Sequence, residues 1–189
     1  IIRCDLNVPI ENGVITDDTR IIASLRTIKY ALRFNTKIIL LSHLGKIKTE
    51  EDKKKNSLYP VAERLREYLN TEVLFSPDTC SDMLTDMVNN MKWKSVLLIE
   101  NTRFEDVPNK RESECNDDLA KYWASLGVIF INDAYGTCHR IHTSITGIPK
   151  YLPSGVGFLV EKELQNIDSV LDAKTQHFIA VLACKNDDD

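Results

Sequence analysis

Residues 1–42 read IIRCDLNVPIENGVITDDTRIIASLRTIKYALRFNTKIILLS, and this stretch indicates the fold class. Short apolar runs at positions 1–3 and 37–42 have the length of β-strands. Between them, capping oxygens at positions 17–19 precede four apolar residues at helical spacing, namely Ile21, Leu25, Ile28 and Leu32. A strand, a helix and a second strand in this order predict the repeating unit of a parallel sheet.

The same alternation of short apolar runs and amphipathic stretches continues along the chain. It predicts strands at 71–75, 95–100 and 128–132, and helices at 58–69, 116–126 and 160–171. The polar segment 46–56, with three consecutive lysines at 53–55, predicts a mobile surface loop. We therefore predict an α/β fold, a three-layer α/β/α Rossmann-like domain with a mostly parallel sheet and helices on both faces.

The composition narrows the class of protein. A length of 189 residues with 43% hydrophobic content suits one large domain, and a net charge of -4 gives no general attraction to nucleic acid or to anionic membranes. The five cysteines include no C-x-x-C pair, which argues against a disulfide framework and a zinc ribbon. No apolar run is long enough to span a bilayer, and no signal segment opens the sequence. We expect a cytoplasmic monomer that binds neither nucleic acid nor membrane.

The candidate site lies where the predicted strands end, because ligands of open parallel sheets bind at the carboxyl edge. Arg, Lys or His is present at four such edges, and this pattern in an acidic protein suits a small, multiply charged anion. The candidate residues are Asp5, Leu6, Asn7, Arg20, His43, Leu44, Gly45, Lys46, Arg103, His139 and Arg140. Alternatively, any one arginine pairs with a local carboxylate such as Glu100 or Asp133. The four edges together favour an anion site, in which Asp5 and Asn7 would serve a ligand hydroxyl.

Two other kinds of site are disfavoured by the spacing of residues. Cys138, His139 and His142 lie close together, but structural zinc needs four ligands in a recognisable pattern, so no metal site is predicted. Gly155 and Gly157 have G-x-G spacing without a third glycine, and G-x-x-x-x-G-K-[ST] is absent from the sequence. The chain therefore carries no such nucleotide-binding motif.

Six motifs occur in order along the chain: RCDLNVP, TDDTRI, SHLGK, ENTRF, NDAYGTCHRIH and GFLVEKE. From position 1 to about position 182, the sequence closely resembles the phosphoglycerate kinase family. The resemblance implies a hinged, two-domain glycolytic enzyme that transfers a phosphoryl group between ATP and 3-phosphoglycerate, giving ADP and 1,3-bisphosphoglycerate. It implies Mg²⁺ with ATP or ADP in the full-length protein, with glycerate on the N-terminal domain and nucleotide on the C-terminal domain.

The resemblance also implies roles for individual residues. Asp5 and Asn7 would contact the hydroxyl and carboxyl end of the glycerate, and His43, Arg103 and Arg140 would contact the phosphate and its surroundings. Arg20 resembles the catalytic arginine of the family, and His139 and His142 would shape the site. Because the attacking carboxylate of the glycerate is already ionised at neutral pH, catalysis needs alignment and charge stabilisation without a general base.

Three departures from the family pattern affect the interpretation. Lys46 stands where the family motif SHLGR has arginine, which keeps the charge and loses the bidentate geometry. Cys138 replaces a small alanine. Where the family continues GGAKVSDK, this chain reads ACKNDDD at 183–189, and Lys185 matches the nucleotide-binding lysine only across a gap.

These departures lead to an expected division of the chain. We expect a substrate-binding domain at 1–159, a linker helix at 160–175, and the first strand of a missing nucleotide domain at 176–189. Both ends of the sequence are interpreted as truncated, so the chain would bind substrate, bind no cofactor and be inactive alone. Two alternatives remain: a non-catalytic phosphoglycerate-binding or regulatory module, and an inert remnant that does not fold.

Overall fold

A computed structural model describes residues 1–171 of the chain. Its strands are β1 (Ile2–Cys4), β2 (Ile10–Glu11), β3 (Val14–Ile15), β4 (Ile38–Leu41), β5 (Val73–Ser76), β6 (Val96–Ile99), β7 (Phe130–Asp133) and β8 (Ser154–Val156). Its α-helices are α1 (Thr19–Leu32), α2 (Glu50–Lys55), α3 (Tyr59–Tyr68), α4 (Asp82–Asn90), α5 (Asp117–Ser125) and α6 (Phe158–Leu171). Short helical turns lie at 102–106, 135–137 and 143–150.

The main sheet has six strands in the order β5-β6-β4-β1-β7-β8, and every neighbouring pair is parallel. Its carboxyl ends therefore all lie along one edge. β2 and β3 form a separate antiparallel hairpin, whose turn residues Asn12 and Gly13 have φ of 51° and 80°. Positive φ at both central residues is the conformation that an Asn-Gly pair favours in a two-residue hairpin turn.

Two apolar clusters cover the two faces of the sheet. Ile38 and Leu40 of β4 belong to the cluster that contains the buried side chains of α1 and α3. Ile39 and Leu41 of the same strand belong to the cluster that contains those of α4 and α5. Successive side chains of a strand point to opposite faces, so a strand buried on both sides is apolar throughout. The predicted three-layer α/β/α fold is confirmed.

The predicted elements agree with the structure to within two residues at their ends. The five predicted strands correspond to β1, β4, β5, β6 and β7, and the predicted helices correspond to α1, α3, α5 and α6. α6 begins at Phe158, two positions before the predicted start at 160. The rest of the predicted linker and the predicted strand at 176–189 lie outside the described residues.

The prediction of a loop over 46–56 was wrong for its second half, which forms α2. This short helix buries none of its side chains and begins with a reciprocal cap. The Asp52 backbone N–H donates to Thr49 Oγ1 at 3.3 Å, and Asp52 Oδ2 accepts from the Thr49 N–H at 2.9 Å. Acidic residues in the first turn and lysines in the last turn also suit the helix dipole. The N-terminal cap and the distribution of acidic and basic residues along α2, rather than burial, explain why this segment is helical.

Three further elements were not predicted: the β2–β3 hairpin, α4 and β8. α4 begins after Ser81, whose Oγ accepts from the Leu84 N–H at 3.1 Å, and Leu84 is fully buried. All three residues of β8 are exposed and one is glycine, so β8 has no apolar run to mark it. Within residues 1–171, no helix is both long enough and apolar enough to cross a membrane.

Candidate functional site

Most of the candidate residues lie on the loops that follow β1, β4, β6 and β7, and Arg20 lies in the first turn of α1. These strands are consecutive in the sheet, so their following loops are neighbours at the carboxyl edge. The Leu6 backbone N–H donates to Ser42 Oγ at 2.9 Å, which ties the loop after β1 to the loop after β4. Leu6 itself is fully buried in the core and so supports the loop from below.

Asp5 and Arg20 form an ion pair at this edge. Arg20 Nη1 lies 2.6 Å from Asp5 Oδ2, and the two side chains are 52% and 10% exposed. A Cβ atom on Gly136 would lie 3.2 Å from the same oxygen, so the turn after β7 also approaches Asp5 closely. Arg20 therefore pairs with a carboxylate, as in the alternative in which each arginine has a local acidic partner. The partner, however, is Asp5, which is itself a candidate site residue.

Asn7 holds the loop after β4 in place. Its Oδ1 accepts from the Gly45 N–H at 2.9 Å, and Gly45 has a φ of +60°. A Cβ atom at position 45 would lie 2.4 Å from Asn56 Oδ1. The Leu44 carbonyl accepts from Asn101 Nδ2 at 2.7 Å, which extends the connection to the loop after β6. The conformation of this loop thus requires glycine at position 45.

His43 lies against Arg3, a residue that the sequence analysis did not select. Arg3 is fully buried, and its Nη2 lies 3.2 Å from His43 Nδ1. Burial lowers the pKa of His43 to about 2, and the charges of Arg3, Arg103, His142 and Arg20 act in the same direction. Three arginines from separate parts of the fold therefore place positive charge around one imidazole.

Arg103 and Lys46 line a common cleft of about 580 Å³, together with Lys48, Asp106 and Lys110. The Arg103 backbone N–H donates to Asn101 Oδ1 at 3.1 Å, which fixes the start of the turn after β6. Its Nε is buried and has no hydrogen-bond partner among residues 1–171. A buried guanidinium nitrogen without a partner is costly, so this atom is a free donor beside the cleft.

The segment after β7 contributes one buried and two exposed candidates. His139 and Arg140 are exposed, whereas His142 is 7% exposed. Burial lowers the pKa of His142 to about 4; Arg103, Arg3 and Arg140 lower it, and Asp106 opposes them. The positive charge of Arg140 thus acts on His142 in the same direction as those of Arg103 and Arg3.

Glu100 and Asp133 do not neutralise the arginines. Glu100 accepts from Ser57 Oγ at 2.6 Å, from the Leu58 N–H at 2.7 Å and from the Asn101 N–H at 2.8 Å. Asp133 accepts from the Leu159 N–H at 2.8 Å, at the start of α6. Neither carboxylate lies in an ion pair with an arginine within the part of the chain that the structure describes. Glu100 therefore fixes the loops before α3 and after β6, and Asp133 caps the start of α6.

Sequence reasoning missed Arg3, Glu112 and Ser144, which form a buried polar group beneath His43. Arg3 occupies an otherwise apolar strand, and Glu112 and Ser144 are also fully buried. A charge inside an apolar strand was a local signal for Arg3. No local pattern links positions 112 and 144 to position 3, since their proximity depends on the fold.

A larger cavity of about 790 Å³ lies at the opposite, amino edge of the sheet. Its lining is mostly apolar and includes Tyr30, Phe34 and Trp93. None of the candidate residues lines it. The charged candidate residues therefore lie at the carboxyl edge, whereas the larger cavity lies at the amino edge of the sheet.

The described part of the chain contains no group of three His, Cys, Asp or Glu side chains placed to hold a metal ion. Cys138 is a free thiol there, and its Sγ lies 3.4 Å from Asn132 Nδ2. Lys185, the predicted nucleotide contact, lies outside the described residues.

Comparison with known families agrees with the motifs in the sequence. The sequence model of the phosphoglycerate kinase family matches residues 1–189. The chain belongs to the phosphoglycerate kinase family. The phosphoglycerate kinase of Enterococcus faecalis is 52% identical to it over 183 residues, and that of Fusobacterium nucleatum is 50% identical over 185 residues. Each match covers 96% of this chain and 46% of the relative, so the chain spans about half the length of these phosphoglycerate kinases.

Two solved structures of phosphoglycerate kinases have the same fold as this family member. The enzyme from Coxiella burnetii aligns with a TM-score of 0.77 and 35% identity, covering 93% of this chain and 42% of the other. The enzyme from Pyrococcus horikoshii aligns with a TM-score of 0.78 and 30% identity, covering 93% and 43%. The α/β architecture of residues 1–171 is thus that of part of a phosphoglycerate kinase.

Proposed function

We propose that this chain is the glycerate-binding half of a phosphoglycerate kinase, which converts ATP and 3-phosphoglycerate to ADP and 1,3-bisphosphoglycerate. The observation that carries the proposal is the pair of cationic side chains, Arg103 and Lys46, that line one cleft at the carboxyl edge, where the buried Nε of Arg103 has no hydrogen-bond partner among residues 1–171. Fixed cations around a partly enclosed point suit a ligand with a phosphate and a carboxylate, since guanidinium groups pair with the oxygens of both.

The candidate residues have distinct roles in this proposal. Arg103 and Lys46 line the cleft and bind the phosphate, with Arg140 nearby. Asp5 and Asn7 serve the glycerate hydroxyl and carboxyl end, and Leu6, Leu44, Gly45 and His139 shape the loops around them. Arg20 stabilises the charge on the phosphoryl group in transfer, and its ion pair with Asp5 holds it in place before substrate binds.

The roles proposed for residues 1–171 are binding, orientation and charge stabilisation. We propose a substrate-binding domain at 1–159 and a linker at 160–175, with residues 176–189 and Lys185 belonging to the nucleotide half. The 189-residue chain alone would then bind glycerate without turnover, as a cytoplasmic monomer.

Calorimetric titration with 3-phosphoglycerate tests the binding step. We expect saturable, one-to-one binding by the 189-residue chain. We also expect Arg33→Ala to leave the affinity unchanged, because this exposed arginine lies at the end of α1 that faces the amino edge. An absence of binding, or equal loss in Arg33→Ala and Arg103→Ala, would refute the proposed site.

Fusion to the nucleotide domain of a related kinase tests the catalytic step. We expect turnover to be restored, and Arg20→Ala to lower kcat by about 100-fold or more with a smaller change in substrate affinity. Arg33→Ala is the matched control, since it removes the same charge from the other end of the helix. A fusion that binds glycerate but shows no turnover would favour a non-catalytic binding module.

A further inference from the structure

Glu112 is a fully buried carboxylate that the proposed function does not use. Its Oε2 accepts from the Ser144 backbone N–H at 3.0 Å, and its Oε1 accepts from Ser144 Oγ at 2.5 Å. Its own carbonyl accepts from the Thr143 N–H at 2.8 Å. Glu112 therefore joins the loop after β6 to the turn that follows His142.

Ser144 connects this carboxylate to Arg3. A serine hydroxyl has one proton to donate and lone pairs with which to accept. Here the proton goes to Glu112, and Ser144 Oγ accepts from Arg3 Nε at 2.9 Å. The direction of both hydrogen bonds is thus determined, because Arg3 can only donate.

Arg3 is held at several further points. Its Nη1 donates to the Cys4 carbonyl, and its Nη2 lies 3.2 Å from His43 Nδ1. A buried guanidinium needs a counter-charge, and Glu112 and Asp5 are the carboxylates that face it. Glu112 binds Ser144, and Ser144 binds the Nε of Arg3. With Nε fixed in this way, Nη2 of the same guanidinium is directed to the imidazole of His43.

The contact with Arg3 determines the tautomer of His43. Because Arg3 Nη2 is a donor, His43 Nδ1 accepts, and the proton of the neutral ring is carried by Nε2. Protonation of Nδ1 would set two N–H groups against each other. The charged groups Arg103 and Arg20, and the titratable ring of His142, also disfavour a cationic imidazole.

We propose that Glu112 is a positioning residue, which acts through Ser144 and Arg3 to fix His43 in the tautomer protonated at Nε2. The ring then presents an N–H donor to the bound glycerate without carrying a charge of its own. This donor role rests on the proposed function, whereas the tautomer does not depend on any ligand. A fixed neutral donor gives His43 the same role throughout the physiological pH range.

Nitrogen-15 NMR of histidine-labelled chain reads the tautomer directly, without substrate. We expect the wild-type spectrum to show His43, assigned with His43→Gln, with Nδ1 unprotonated and Nε2 protonated from about pH 5 to pH 8. In Glu112→Gln the guanidinium loses its buried counter-charge and turns towards Asp5. We then expect a mixture of tautomers and about tenfold weaker binding of 3-phosphoglycerate.

Glu67→Gln is the control, because it makes the same change at a side chain on α3 that is 62% exposed and does not line the cleft. It should behave as wild type. If Glu112→Gln fails to fold, Ser144→Ala tests the same connection by removing the hydroxyl between Glu112 and Arg3.

The proposal is overturned by protonated Nδ1 in the wild-type ring, or by a wild-type tautomer and affinity in the folded Glu112 or Ser144 variants. Failure of 3-phosphoglycerate to bind the wild-type chain would instead refute the proposed function, and the ligand-free spectra would still decide the tautomer.

Discussion

His43→Asn should make the stability of the chain less sensitive to acid. In the folded chain, burial and the surrounding positive charges lower the pKa of His43 from 6.5 to about 2. An unfolded histidine has a pKa of about 6.5. Below that pH the unfolded chain takes up a proton that the folded chain excludes, so the free energy of unfolding falls as the pH falls. Asparagine cannot take up this proton, and its Oδ1 can still accept from Arg3.

The expected size of the effect follows from this difference in pKa. One excluded proton lowers the free energy of unfolding by about 1.4 kcal/mol per pH unit once the pH is well below 6.5. Between pH 7 and pH 5 the contribution of His43 is then about 2 kcal/mol, or roughly 4–8 °C in Tm for a chain of this size. His142, with a pKa lowered to about 4, adds a similar loss that remains in the variant.

Urea unfolding followed by circular dichroism at pH 7, 6 and 5 measures this effect. The variant also loses packing at every pH, so the quantity to compare is the change in unfolding free energy between pH 7 and pH 5. We expect this change to be about 2 kcal/mol smaller in His43→Asn than in wild type. His139→Asn, at an exposed position, is the control. Equal pH dependence in wild type and His43→Asn would refute the buried, neutral state of this ring.

Two further substitutions test how the loops and the core are held. Gly45→Ala should lower the unfolding free energy by about 2 kcal/mol, because position 45 has positive φ and its Cβ would meet Asn56. An unchanged Tm in thermal melts would contradict this account of the loop. Trp123→Phe should cost about 2 kcal/mol, since Trp123 is fully buried and its Nε1 donates to the Thr79 carbonyl at 2.7 Å. Urea unfolding measures this loss, and a cost close to zero would show that neither the bond nor the packing matters.

Much of the fold could be predicted because burial leaves a periodic pattern in the sequence. α1 repeats its apolar residues at helical spacing, and β4 is apolar at every position because helices cover both of its faces. α2 and β8 bury little or nothing, so no hydrophobic pattern marks them. The Asn12-Gly13 turn did carry a usable signal, which the sequence analysis overlooked.

Some residues of the candidate site could likewise be predicted from the sequence, and others could not. Residues that follow a recognisable strand, such as Asp5 and His43, could be selected by position and residue type. Glu112 could not, because it lies within a polar segment and becomes buried only when distant parts of the chain meet. The strand order also required the structure, since neither periodicity nor charge ranks the possible neighbours of β1.

The apolar character of β4 on both faces has a consequence for how its pairing is specified. If the strand slipped by one residue, Ile39 and Leu41 would exchange faces with Ile38 and Leu40, and both clusters would still receive aliphatic side chains. The slip would nevertheless carry His43 along by about 3.3 Å and turn it to the other side. Packing of the aliphatic side chains therefore does little to specify the pairing register of β4. The polar anchors just beyond the strand, from Leu6 to Ser42 and from Asn101 to Leu44, penalise the slipped form and keep His43 beside Arg3.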